Sequence, residues 1–199
     1  MCNLISNKQV EDKELKGEKL VKITVILVLS ILVCCVCIYL GMHYLQTYSI
    51  SNVNEVKKAA TIPLSHISEN GDNYQHKETV YKDSFAASLL YDEEAKKYCV
   101  AVFRRDSVWK NRYEYVGGCF DGNYGEMISS NTSYKETGII VVGGYGLPKE
   151  AEYYSITNSG ITYSCDIEDE TVLRIFITEN PNDINGAPEM FNDKNENIG

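Results

Sequence analysis

The chain has 199 residues, with 28 acidic and 19 basic side chains and a formal net charge of −9. From residue 121 onward four basic side chains face fourteen acidic ones. That balance excludes nucleic acid as a partner, because a polyanion is held by a basic surface.

Residues 1–22 read as a short polar cytoplasmic tail. Residues 23–42, ITVILVLSILVCCVCIYLGM, carry no charge and no proline. As a helix this stretch would be about 30 Å long, the thickness of a bilayer's hydrocarbon core. It is longer than the apolar core of a cleavable signal peptide, and the bulky run His43-Tyr44-Leu45 follows it in place of a small-residue cleavage site. The reading is one transmembrane helix over 23–43. Lys13, Lys16, Lys19 and Lys22 precede it, and only Lys57 and Lys58 follow at a comparable distance. The excess predicts an amino terminus in the cytoplasm and a carboxyl-terminal domain outside. Within the span, Ser30, Cys34, Cys37 and Gly41 share a helix face, and small residues so spaced let two helices approach. A homodimer through that seam is expected beside the lipid bilayer as a partner.

Residues 44–83 are polar and rich in turn residues, and they read as a stalk reaching about 35 Å if flexible. The folded part is expected over 84–180. Tyr98-Cys99-Val100-Ala101-Val102-Phe103 and Ile139-Ile140-Val141-Val142 read as buried strands. Gly117-Gly118 predicts a bulge in the strand that starts at Tyr113, and residues 121–136 read as a polar loop. Ile161, Tyr163, Cys165 and Ile167 alternate with polar residues, as do Leu173, Ile175 and Ile177. With residues 152–157 they predict a three-stranded antiparallel meander. Residues 181–199, rich in Asn and Asp, read as a disordered tail. The fold class predicted is an all-β ectodomain, a small antiparallel sandwich or open barrel of six or seven short strands, on a single N-terminal transmembrane helix.

Catalytic signatures are missing from the sequence. The exported histidines, His66 and His76, fall in the expected stalk, away from the cysteines that a nucleophile–base pair would use. The Gly143-Gly144-Tyr145-Gly146 run continues into Leu-Pro and lacks the Lys-Ser or Lys-Thr of a phosphate loop. Residues 121–126 and 183–186 do not match a calcium loop, so no metal or cofactor is expected. Cys99, Cys119 and Cys165 could form one disulfide in an exported domain, with Cys99–Cys165 or Cys99–Cys119 preferred.

A basic tail, one span, a polar stalk and a small β domain, with Gly-Tyr-Gly-Leu-Pro running into a tyrosine-rich end, resemble the uncharacterised signal-anchored, single-pass extracytoplasmic proteins of Gram-positive bacteria. The resemblance implies a location and no activity. The functional expectation is a non-enzymatic binding or interaction module at the outer face of the cell membrane, engaging an extracytoplasmic protein or ligand. The alternatives are a sensor or regulator signalling through the span, or a cell-surface hydrolase.

Overall fold

The structure, a computed structural model, describes residues 2–64, 73–134, 137–158, 160–178 and 187–199; within these, side chains are described except at 2–18, 61–64, 119–121 and 158. The chain divides into two compact units, Met1–Gln46 and Thr47–Gly199.

The first unit is one helix, α1 (Cys2–Leu45). Its segment Lys19–Leu45 has 27 residues and a mean hydropathy of 3.0 over its most apolar window, long and apolar enough to cross a membrane. Leu27, Leu32 and Ile38 are all more than half exposed, as apolar side chains facing lipid would be.

The second unit is all-β apart from one helix. Its elements are β1 (Thr47–Tyr48), α2 (Val53–Leu64), β2 (Gln75–Lys82), β3 (Phe85–Asp92), β4 (Lys97–Arg105), β5 (Tyr113–Asn123), β6 (Met127–Tyr134), β7 (Thr137–Tyr145), β8 (Tyr153–Asn158), β9 (Ile161–Asp166), β10 (Thr171–Thr178) and β11 (Glu189–Phe191). They form three antiparallel sheets, β1-β5-β4-β3-β2, β10-β7-β6 and β11-β8-β9. Three apolar clusters show how these stack. Val56, Ala59 and Ala60 of α2 cover one face of the first sheet at Ala86, Leu90, Ala101 and Phe103. The other face, with Leu89, Val100 and Val102, packs on Ile139, Val141, Leu173 and Ile175 of the second sheet. The second sheet's far face, with Ile140, Val142 and Val172, packs on Tyr154, Ile156 and Met190.

The layering explains which strands the sequence revealed. β4 and β7 are covered on both faces, so they are the continuous apolar runs that were expected to be buried. The register of β4 on β5 slips beside Gly117, where Val102 pairs with Gly117 and Phe103 with Tyr115, as the glycine pair predicts.

Five expectations are corrected. The expected meander does not form, because β10 pairs with β7 rather than with β9. Val172 and Phe176 give β10 a second apolar face toward the third sheet, so it belongs in the doubly covered central layer. Ile161, expected in the core, is 58% exposed, since it lies at the turn end of the β8–β9 hairpin, opposite Asn158. Residues 44–83 are no stalk: β1, α2 and β2 lie within them, and Thr47 already pairs with Glu114 (65–72 are outside the described residues). The tail is ordered where described, because β11 pairs with β8 and buries Met190; residues 179–186 lie outside the described residues. The loop expected over 121–136 is instead largely the end of β5 and all of β6, so the strand count exceeds the six or seven expected.

Tyr98 ties the first sheet to the second. It is fully buried, and its hydroxyl donates to the carbonyls of Glu126 and Gly143, each at 2.9 Å. A Cβ at Gly143 would lie 2.5 Å from Val100 Cγ2, and one at Gly122 would strike the Tyr98 ring, so both glycines are close-approach positions. Tyr98→Phe removes the donor and leaves the buried Gly143 carbonyl and the partly buried Glu126 carbonyl one partner short, which should cost about 1–3 kcal/mol. For a domain of this size that is a fall of roughly 3–10 °C in thermal midpoint by circular dichroism. An unchanged midpoint would show that the tie contributes nothing.

Candidate functional site

Two strand edges frame a polar concavity of the second unit. β2 ends the first sheet and β10 ends the second, and they run side by side without pairing. Between them lies a cleft of about 200 Å³. β2 contributes Lys77 and Glu78, β10 contributes Thr171 and Arg174, and the end of β9 and its turn contribute Asp166, Glu168 and Asp169. A hollow of about 520 Å³ lined by Tyr81, Lys82 and Ile175 shares Leu173 and Arg174 with it. Another of about 250 Å³, between Leu147–Ala151 and the β9–β10 turn, shares Glu168 and Asp169.

Glu78 is the electrostatic centre of the cleft. Burial raises its pKa above the ordinary 4.5, opposed by Arg174 and Lys77 and assisted by Asp169. Thr171 Oγ1 is buried and has no hydrogen-bond partner among the described residues, which leaves a hydroxyl free for a ligand.

A tyrosine cluster adjoins the cleft. Tyr91 stacks on Tyr145 with ring centroids 4.7 Å apart, and Tyr124 meets Tyr145 edge-on at 4.8 Å. Lys77 belongs to both features, its ammonium lying 5.4 Å from the Tyr145 ring centroid. The Tyr124 hydroxyl donates to Glu93 Oε2 at 2.7 Å, and Lys96 pairs with the same carboxylate at 2.7 Å. Burial, with the Glu93 hydrogen bond next, pushes the Tyr124 phenol well above its usual range, so it remains a donor at any physiological pH. Gly146, at φ +65, lets the Tyr124 ring lie against the backbone, because a Cβ there would sit 3.2 Å from the ring. The glycine-rich run noted in the sequence therefore seats an aromatic cluster and cradles no phosphate.

The residues singled out from the sequence are not gathered here. Ser30, Cys34, Cys37 and Gly41 lie along α1, with the Ser30 hydroxyl donating back to the Ile26 carbonyl at 2.8 Å. Cys165 is a free thiol packed against the cluster between the second and third sheets, so it bridges neither Cys99 nor Cys119. Cys99 is buried in the α2-facing cluster. The backbone of Cys119 pairs with Val100, and its side chain lies outside the described residues. His76, expected in the stalk, is in β2, where its Nε2 lies 2.8 Å from Thr79 Oγ1, itself 2.8 Å from Ser88 Oγ. Burial lowers its pKa. His66 lies outside the described residues. The cleft residues were missed because four of the seven come from β2 and β10, segments distant in sequence.

No family model, curated protein or solved structure matches the chain.

The folded state holds the Glu78 proton more tightly than the unfolded chain does. Its stabilising effect is therefore complete below the unfolded pKa and is lost as pH rises through the folded one. Glu78→Gln should be more stable than the parent at pH 7, with the gap closing as pH falls toward the carboxylate range. A variant less stable at pH 7, measured by thermal unfolding across pH, would contradict the placement of Glu78.

Proposed function

We propose that the chain is a single-pass membrane protein with its amino terminus in the cytoplasm, and that Thr47–Gly199 works outside the cell as a binding module for a charged ligand. The observation that carries this reading is the cleft between the β2 and β10 edges. It sets charges of both signs, Lys77 and Arg174 against Glu78, Asp166 and Asp169, around a hydroxyl with no partner among the described residues. Groups held this way on strand edges recognise a ligand by complementary charge and hydrogen bonds. The excess of lysines before the helix supports the orientation.

A second reading has one observation in its favour. Glu78, with its pKa raised by burial, faces a cleft that also holds Asp166 and Asp169, and a carboxyl so raised beside a second carboxylate is the raw material of a hydrolase. Turnover decides between the two. Chromogenic glycoside and peptide substrates should remain intact with the parent chain. Hydrolysis lost in Glu78→Gln would replace the binding module with an enzyme.

Topology has its own test. Protease added to intact cells or spheroplasts should digest Thr47–Gly199 and spare the amino-terminal tail, and a protected domain would reverse the orientation. The helix seam is tested by Gly41→Leu with Cys37→Leu, which should weaken self-association in a membrane two-helix reporter. Equal association at equal insertion would remove the dimer.

A further inference from the structure

Charges of opposite sign share the β2–β10 cleft without satisfying one another. Glu78 lies opposite Leu89 of β3, so its side chain points toward the second sheet, as Leu89 and Val80 do. It is half-buried, and among the described residues its carboxylate makes no hydrogen bond and no ion pair. Arg174 and Lys77 act on it only through space, and among the described residues neither of them makes an ion pair. The Lys77 ammonium lies over the Tyr145 ring instead, and Arg174 is exposed on the edge strand β10. Asp166 and Asp169 stand exposed in the same cleft.

A half-buried carboxylate without a donor is held at a cost, and its raised pKa reflects that cost. A ligand ammonium would bring several donors to Glu78, and Asp169, close enough to repel that carboxylate, would be drawn to the same cation. A bare amine would leave Arg174 and Lys77 unanswered. A carboxylate a few bonds from the ammonium answers them, because the planar fork of an arginine takes both carboxylate oxygens at once. Unpaired groups of both signs in one cleft therefore match a zwitterion better than a simple cation or anion.

Volume limits the ligand further. The cleft's 200 Å³ or so lies below the roughly 300 Å³ at which pockets for drug-sized molecules begin, so the ligand is small. The adjoining hollow of about 520 Å³ has Val80, Tyr81 and Ile175 on its walls, surface that suits an apolar side chain. We propose that the cleft binds a free α-amino acid with an apolar side chain, its ammonium on Glu78 and Asp169 and its carboxylate on Arg174. This ligand class rests on the binding-module reading given above.

The full chain, in a non-ionic detergent and an amine-free buffer at pH 7, is titrated calorimetrically with valine, leucine, isoleucine, methionine and phenylalanine. Each is compared with its N-acetyl form, which lacks the ammonium, and its amide, which lacks the carboxylate. At least one free amino acid should bind, with both blocked forms weaker by about tenfold or more. Arg174→Glu, at an exposed position, should weaken the free amino acid by a similar factor and leave the amide as tight or tighter. Glu78→Gln should weaken the free amino acid and the amide alike, and both variants should keep the parent's circular dichroism. An amide or an N-acetyl form that binds as tightly as the free amino acid overturns the zwitterion and leaves a cleft for a singly charged ligand. Affinity unchanged in both variants puts the amino acid elsewhere and overturns the site. Silence from all three forms of all five removes the amino acid and, with it, the charged-ligand reading of the cleft.

Discussion

The Tyr98 hydroxyl is the constraint on which the layered domain depends. It leaves the first sheet, crosses to the second and satisfies two carbonyls there. The Gly143 carbonyl is buried with it and cannot turn to water for a replacement. The crossing works only because Gly122 and Gly143 lack side chains. With that distance set, the aliphatic residues of β3, β4, β7 and β10 meet at one packing separation, and the same register leaves β2 and β10 adjacent but unpaired.

The candidate site is a by-product of that geometry. A closed barrel would have hydrogen-bonded β2 to β10 and left no cleft. Here each edge keeps unpaired backbone groups, and the charged side chains of Lys77, Glu78 and Arg174 guard them. Inward and edge charges are also how sheets avoid joining neighbours, so the groups offered to a ligand protect the domain from aggregation as well.

The sequence was legible where burial was symmetrical. α1 declared itself by its uninterrupted apolar run, and β4 and β7 by apolar residues facing both ways. β10 misled because Arg174 interrupts one face, giving the look of a half-exposed strand while Val172 and Phe176 cover that face on either side. Residues 44–83 misled because turn residues and charges outnumber apolar ones, although Val56, Ala59 and Ala60 suffice to seat α2. The cleft could not be read at all, since it depends on two strand edges about ninety residues apart meeting in space. Its one sequence trace, the acidic turn at 168–170, is a common feature of solvated hairpins.

The pairing of Thr47 with Arg112 spans 65 positions. At ribosomal rates of about 5–20 residues per second, β1 emerges some 3–13 seconds before the arginine that fastens it. During synthesis the first stretch of the second unit must therefore wait, exposed, for its partner. β1 comes first in this unit, yet its strand partner β5 comes last among the strands of the first sheet. The first sheet closes onto the start of its own unit, and a chain truncated before residue 112 would present an unsecured helix and an open sheet edge.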